Sequence, residues 1–200
     1  MPTSRTRQAQ ATRALLIEVA REVFTERGYA EASIDEIVQR AGVAKGSLYH
    51  HFASKDAVFE AVVQAVQGDA VARILAAAVA TGGDPLTAAR AGLSAFLDAC
   101  GEPEFRRVVI VDSVNVLRSR SAEAGEGPAE LAVLRTVVGP VATQLGLPGG
   151  AGEALTYVAL GGLYGAALSI ARAEDRAAAR AHAEAVLDLI IDGLRHAVRG

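Results

Sequence analysis

Residues 33–62 decide the fold of this 200-residue chain, and they read SIDEIVQRAGVAKGSLYHHFASKDAVFEAV. Ser33 and Glu36 form a capping box, in which the serine oxygen and the glutamate side chain bind the free amides at the start of a helix. Gly42 allows a tight turn directly after that helix. The spacing predicts a short third helix over about 44–51, and hence two short helices joined by a turn.

The residues on either side also follow helical periods. Before this stretch, apolar side chains recur every three or four residues, as on one face of a helix. They are Leu16, Val19, Ala20, Val23 and Phe24. Gly28 can end this first helix. After the stretch, Ser54 can cap a long fourth helix that starts near Lys55.

The rest of the chain is divided by helix-ending signals and predicts an all-α fold. Breaks fall at 82–83, 101–103, 121–128, 139–140 and 146–152. Asp84 followed by Pro85 is a helix start, and Pro140 should kink or interrupt its helix. The last two helices are expected at about 153–172 and 174–198. Hydrophobic residues make up 51% of the chain and aromatic residues only 4%. We predict eight or nine helices and no strand.

Composition and charge exclude several classes of protein. Residues 1–55 hold eight basic and six acidic residues, including both lysines, while the whole chain carries a net charge of -3. An anionic partner would therefore meet the N-terminal end. The single cysteine, Cys100, excludes an internal disulfide and a cysteine-rich zinc site, and we expect it to be a small buried side chain. The four histidines show no metal-ligand spacing, and no nucleophile or phosphate-loop motif occurs. We expect no enzyme activity, cofactor or metal.

One segment, residues 154–171, has no charge over 18 positions. This is at the short edge for a membrane span, and we expect a buried helix of a soluble protein. The first 13 residues lack the apolar stretch of a signal peptide. The expected location is the cytoplasm, without membrane association.

The two short helices have the helix-turn-helix shape, whose second helix can enter the major groove of DNA. On a helical wheel Leu48 faces inward with His51 beside it. The outward face is polar, basic and aromatic. Its members are Lys45, Gly46, Ser47, Tyr49 and His50. Gly46 costs a helix ~1 kcal/mol relative to alanine but would let the backbone approach DNA closely. The same pattern also fits a helical hairpin with a solvated polar face.

The stretch resembles the DNA-binding domain of the tetracycline-repressor (TetR) family of transcriptional regulators. The positions that match are Ser33, Ile37, Ala41, Gly42, Val43, Gly46, Leu48, Tyr49, His51, Phe52 and Lys55. Ala44 departs from the family, which usually has Ser or Thr there, so the third helix should lack its side-chain cap. Val38 stands where a smaller alanine is usual and should affect only packing.

The resemblance implies a role for each DNA-facing residue. Phosphate contacts are implied for Ser33, Tyr49 and Lys55, and contacts toward base edges for Lys45, Ser47 and His50. Gly46 would permit close approach, and the arginines before residue 14 could add contacts. We expect a DNA-binding domain over 1–55, comprising an N-terminal arm and a three-helix helix-turn-helix unit. A larger regulatory domain would occupy 56–200.

The regulatory region is expected to dimerise through its last two helices and to bind a small ligand. In the last helix an apolar stripe runs through Ala183, Leu187, Ile190, Ile191, Leu194 and Val198. In the helix before it, small residues lie four apart, Gly161 with Gly165 and Gly162 with Ala166, which lets two helices approach closely. The alternative is burial of both faces within a monomer.

Polar groups amid apolar sequence are the candidates for a ligand site. They are Asp112, Asn115, Tyr157 and Tyr164. The same residues could instead form hydrogen bonds at the rim of a dimer interface. The expected function is a ligand-responsive regulator, a repressor by preference, that binds an inverted-repeat duplex operator as a homodimer and is released by a small, mostly apolar molecule. A helical interaction module with little or no ligand response, and less readily an enzyme, are the alternatives.

Overall fold

A computed structural model describes residues 4–116 and 129–199 of the chain. In these residues the secondary structure is helical and contains no strand. We number the α-helices α1 to α9. Their bounds are α1 Ser4–Glu31, α2 Ile34–Ala41, α3 Lys45–His51, α4 Lys55–Val79, α5 Pro85–Gly101, α6 Ser113–Val116, α7 Ala129–Gln144, α8 Ala151–Arg172 and α9 Arg176–Arg199. A π-helix, Phe105–Asp112, leads directly into α6.

The described residues form two compact units. The first unit contains residues 4–67 and 103–116, so it joins α1, α2, α3 and the first half of α4 to the π-helix and α6. Its core includes the apolar stripe predicted on α1, of which Leu16, Ala20, Val23 and Phe24 are fully buried. The ring of Phe24 meets the ring of Phe59 on α4 edge to face, with 5.0 Å between centroids.

The second unit contains residues 68–102 and 129–199. Leu86 and Ala89 of α5, Val141 of α7 and Ile191 of α9 form a buried apolar cluster, with Leu194 packed against it. Polar contacts also join α5 to α9. In one of them Ser94 Oγ donates to Glu184 Oε1 at 2.7 Å.

Capping signals in the sequence set several helix starts correctly. Ser54 Oγ accepts the amide of Ala57 at 3.2 Å, and α4 begins at Lys55 as predicted. Asp84 accepts the amide of Thr87 at 2.9 Å at the start of α5. Side-chain acceptors of this kind satisfy amides that lack a partner in the first turn.

Three backbone features differ from the sequence predictions. α1 starts at Ser4 rather than near Leu16, so the residues expected to form an arm are helical from that point. Pro140 lies inside α7, which continues through it to Gln144 and is not interrupted. The π-helix was not predicted at all. Residues 121–128, predicted as a loop, lie outside the described part of the chain.

Helix α8, which contains the uncharged segment 154–171, is not buried on all sides, contrary to expectation. It buries Thr156, Leu163, Ala167 and Ile170, whereas Val158 on the opposite side is 71% exposed. By length and composition alone, α4 and α8 could each cross a membrane. This test is weak evidence, because core helices of soluble proteins also pass it.

Candidate nucleic-acid interface

The junction between α2 and α3 is built by local hydrogen bonds. Ser33 Oγ accepts the amide of Glu36 at 3.1 Å, which caps α2. Gly42 ends the helix in the left-handed conformation, with φ 65°, and its amide donates to the Gln39 carbonyl at 3.2 Å. A glycine adopts this conformation without the strain that a Cβ would bring. The turn between the two helices is therefore fixed by Gly42.

The capping box is only half formed. The carboxylate of Glu36 binds side chains instead of returning to the helix start, and it lies 2.5 Å from Arg40 Nη2 and 3.6 Å from Arg27 Nε. Arg40 also pairs with Glu26 at 2.8 Å, and these two carboxylates raise the pKa of the Arg40 guanidinium. The ion pairs tie α2 to α1.

Helix α3 presents its faces as the wheel predicted. Leu48 is fully buried, with Phe52 buried just after the helix and His51 half-buried beside it. Tyr49 is 49% exposed, and Lys45, Gly46 and His50 are also exposed. Ser47 is half-buried. As expected from Ala44, no side chain caps the start of α3.

Gly46 is not required by packing within the protein. A Cβ placed on it would meet no atom within 4 Å, and its backbone is ordinary α-helix. A glycine at position 46 therefore lowers the stability of the helix, although no contact among the described residues requires it. Such a position on an exposed helical face leaves space for another molecule to approach the backbone.

Lys45 has an acidic partner that the sequence reading missed. Its Nζ lies 2.7 Å from Asp35 Oδ1, across the turn between α2 and α3. The hydrogen bond to Asp35 raises the pKa of the Lys45 ammonium. Asp35 lies in the first turn of α2, and only the turn between the two helices brings it beside Lys45. A bound anion would have to compete with this carboxylate for the lysine.

Lys55, the first residue of α4, is held by residues that follow Gly28. Its Nζ donates to the Ala30 carbonyl at 3.3 Å and lies 4.4 Å from the centroid of the Tyr29 ring. The sequence reading missed Tyr29, because only the fold brings residues 29 and 55 together.

Two arginines of the N-terminal segment are exposed on α1, namely Arg7 and Arg13. The guanidinium of Arg13 lies over the ring of Phe52, 5.1 Å from its centroid. The side chain of Arg5 lies outside the described part of the structure. These cations belong to the same unit as α3.

The four candidate ligand residues are not brought together within either unit. Asp112 lies in the first unit, where its Oδ2 accepts the amide of Tyr29 at 2.8 Å and pairs with Arg107 Nε at 3.2 Å. This placement does not support the predicted ligand role of Asp112. Tyr157 and Tyr164 lie on α8 in the second unit, and both are exposed. The side chain of Asn115 lies outside the described part.

The last helix buries part of its predicted apolar stripe and exposes the rest. Ile191 is buried, and Ala183, Leu187 and Leu194 are half-buried within the chain. The exposed apolar residues of α9 are Val186, Leu189 and Ile190. The side chain of Val198 is outside the described part. Within the predicted stripe, Ile190 is therefore exposed in the single chain and Ile191 is not.

Comparisons with known proteins agree with this architecture. A family model described as "Bacterial regulatory proteins, tetR family" matches residues 16–62. A second, described as "Tetracyclin repressor-like, C-terminal domain", matches residues 86–194. Together they cover the helix-turn-helix region and most of the remaining helices.

The curated relatives match only part of the chain and part of their own length. The transcriptional regulator UidR of Escherichia coli K12 is 41% identical over 66 residues, which is 33% of this chain and 34% of the relative. The transcriptional activator FasR of Mycolicibacterium smegmatis is 42% identical over 86 residues, 43% of this chain and 39% of the relative. The chain thus matches about a third of the length of the first curated relatives.

Solved structures match over nearly the whole chain. A TetR-family regulator of Pectobacterium atrosepticum is 31% identical, with a TM-score of 0.77 over 96% of this chain and 97% of its own. FadR of Bacillus subtilis, solved with stearoyl-CoA, is 19% identical and shares the fold with a TM-score of 0.71, over 90% of this chain and 98% of its own. With a helix-turn-helix unit and a C-terminal region that each match the family, this all-α chain belongs to the TetR family of transcriptional regulators.

Proposed function

We propose that the protein is a ligand-responsive transcriptional repressor that acts in the cytoplasm as a homodimer. It binds an inverted-repeat duplex operator and is released by a small, mostly apolar molecule. The observation that carries this proposal is the exposed face of α3, where Gly46 leaves an open approach to the backbone between Lys45 and Tyr49. The family itself is regulatory and DNA-binding rather than enzymatic.

In this proposal α3 lies in the major groove and reads base edges through Lys45, Ser47 and His50. Ser33, Tyr49 and Lys55 bind backbone phosphates, which position the helix without specifying sequence. The exposure of Lys45, Tyr49 and His50 supports these roles. Ser47 is half-buried, so it is expected to reach a base edge only at the margin of the contact.

The homodimer is supported by apolar side chains that are exposed on both α8 and α9. Leu189 of α9 is 74% exposed and Val158 of α8 is 71% exposed. On α8 a Cβ at Gly161, Gly162 or Gly165 would meet nothing within 4 Å. Large exposed apolar side chains are candidates for an association site, and small residues allow helices to approach closely.

Tyr157 and Tyr164 are better placed for this interface than for an enclosed ligand site. Both are exposed on α8, the helix that carries the open glycines. A tyrosine at a rim buries its ring and leaves its hydroxyl at the polar edge. We therefore assign them to the rim of the dimer, the second of the two predicted interpretations. The ligand would bind in the second unit, where Leu86 and Val141 belong to a buried apolar cluster.

The DNA-binding proposal is tested by selecting bound duplexes from a random library with the full chain. The expected product is an inverted repeat, and placing it over a reporter promoter should lower expression when the protein is present. An interaction module without operator recognition would enrich no sequence. Enrichment together with increased reporter expression would identify an activator and overturn the assignment as a repressor.

Ligand release is tested with the selected operator in hand. Small molecules that shift the thermal transition of the protein would be titrated with and without saturating operator. Coupling of ~1–3 kcal/mol weakens each partner's binding by about 5- to 150-fold, and the effect is reciprocal. Hits whose affinity is unchanged by operator would contradict release while leaving DNA binding intact.

A further inference from the structure

Gly28 interrupts α1 and leaves the next amide in need of a partner. Its φ of 76° and ψ of 169° are not helical, and a side chain would be strained at this φ. A helix interruption exposes backbone amides that have no acceptor within the helix. The amide of Tyr29 is satisfied from far along the sequence, by Asp112 Oδ2 at 2.8 Å.

The π-helix places a pair of charged residues against this break. Arg107 lies near the start and Asp112 at the end of this short helix, and they pair through their side chains, with 3.2 Å between Nε and Oδ2. Arg107 Nη2 also donates to the Arg27 carbonyl at 3.2 Å. The guanidinium lies directly over Gly28, where a Cβ would come within 1.7 Å of it. Asp112 is nearly enclosed, with its side chain 13% exposed.

The backbone held in this way carries both contacts of the lysine of α4. The Tyr29 ring and the Ala30 carbonyl, directly after the break, are the contacts of the Lys55 ammonium. The Tyr29 hydroxyl donates to Asp56, the next residue of α4. A chain of direct contacts therefore runs from Asp112 through Tyr29 to Lys55, all within the first unit.

We propose that Asp112 is a positioning residue for DNA binding, which holds Tyr29 so that Lys55 is directed toward a backbone phosphate. The inference rests on the proposed function, in which Lys55 binds phosphate. The π-helix lies within the match to the C-terminal domain model. In this proposal it nevertheless helps to form the DNA-binding surface. π-helical turns are rare and occur frequently at functional sites.

The test is a double-mutant cycle with Asp112→Ala and Lys55→Met, measured as affinity for duplex DNA over a range of salt concentrations. Each single variant should bind roughly fivefold more weakly, the size of one lost contact between coupled residues. Each should also flatten the dependence of log affinity on log salt by about one phosphate equivalent. The double variant should be no weaker than Lys55→Met alone. Additive losses would overturn the proposal.

A control and a second readout separate positioning from simple destabilisation. Glu104→Ala removes another carboxylate that holds this segment to α1, since Glu104 pairs with Arg21 at 2.8 Å, and it should leave the salt dependence unchanged. Amide hydrogen exchange should show lost protection at Tyr29 in Asp112→Ala, with protection retained at Val23. Unchanged protection at Tyr29 would overturn the proposal without using DNA. If Asp112→Ala loses protection at Tyr29 as expected but the parent chain does not bind DNA, the proposed function is wrong, while the contact between Asp112 and Tyr29 is confirmed.

Discussion

Asp35 places a negative charge on the surface that we propose faces DNA. Its carboxylate holds Lys45 at 2.7 Å, and both side chains are largely exposed. A duplex must displace this carboxylate to use the lysine, and the carboxylate also repels phosphates. The ion pair is therefore expected to weaken binding to every sequence.

We predict that Asp35→Asn tightens binding to operator and non-operator duplexes alike. An exposed ion pair contributes little, so the gain should be roughly two- to fivefold. Fluorescence anisotropy at constant salt measures it. Asp35→Glu keeps the charge and is the matched control, which should bind like the parent. Weaker binding by Asp35→Asn would show that the carboxylate contributes to the interface.

His50 is predicted to influence sequence preference rather than overall affinity. His50→Ala should reduce discrimination at one base pair by ~1–3 kcal/mol. The measurement compares affinities for operators that carry single base-pair changes. His182→Ala alters an exposed histidine of α9 and should change nothing. If discrimination by His50→Ala matched the parent at every position, His50 would not face a base edge.

Cys100 is expected to be chemically inert in the folded protein. Its side chain is fully buried, and burial raises the pKa of the thiol to about 12. The thiolate, which is the reactive form, is therefore absent near neutral pH. A chromogenic thiol reagent at pH 8 should react only after denaturant is added. Rapid reaction with the native protein would contradict this placement.

The sequence predicted the roles of residues that are set by helical spacing alone. It did not predict roles that are set by tertiary contacts. The inward position of Leu48 and the outward position of Tyr49 follow from helical spacing alone. The partners of Lys45 and Lys55, and the use of Asp112 to satisfy Tyr29, require helices distant in sequence to meet. Asp112 was predicted to bind a ligand because it is a polar residue among apolar neighbours. A carboxylate that accepts a structural hydrogen bond has the same sequence pattern.

At the scale of the helices, α3 begins without a side-chain cap. Ser33 caps α2 and Asp84 caps α5, but Ala44 offers no side-chain acceptor to α3. The amide of Ser47 bonds only the Ala44 carbonyl, at 2.9 Å. An added hydroxyl at position 44 could accept an amide of the first turn.

We predict that Ala44→Ser stabilises the protein by ~1 kcal/mol, the typical value of an N-cap. The midpoint of thermal unfolding should rise by about 2–4 °C for a chain of this size. Ser33→Ala is the matched reverse change and should lower the midpoint by a similar amount. Calorimetry measures both. An unchanged midpoint in Ala44→Ser, with the expected fall in Ser33→Ala, would show that α3 is not limited by its cap.

Helix starts could be predicted because caps are local, but two features of the helices could not. The π-helix is held by contacts of Glu104, Arg107 and Asp112 with α1, and no local propensity specifies them. The early start of α1 went unrecognised because its first turns carry no apolar stripe, although Gln, Arg and Ala favour helix. In α7 the chain tolerates Pro140 near the end of the helix.

For the whole molecule, the main feature is that a single chain leaves large apolar side chains of α8 and α9 exposed. The sequence predicted that these helices pair with their copies through one stripe of α9, and the structure exposes part of that stripe and buries the rest. Periodicity cannot separate a face that packs on α5 from one that packs on a second copy, since both are apolar. Exposure separates them, because Ile191 is 4% exposed and Leu189 is 74% exposed.

We predict that Leu189→Arg and Gly165→Leu each convert a dimer to a monomer. The first buries a charge in an apolar contact, and the second blocks close approach of α8. Sedimentation at micromolar concentration measures the assembly. Val79→Arg is the control, because it adds the same charge at an exposed apolar residue of α4 and should leave the dimer intact. A parent chain that sediments as a monomer would contradict the assignment.

The central claim is that two copies of α3 read two half-sites of one operator at the same time. It is tested most directly by the affinity of the full chain for the selected inverted repeat as the spacing between half-sites is changed. Because recognition helices of a dimer must meet successive major grooves, ~34–36 Å apart or a multiple of that, inserting about 5 bp places one half-site on the opposite face of the duplex. The account predicts that this insertion reduces affinity to that of a single half-site. Equal affinity for the original and the extended spacing would contradict it.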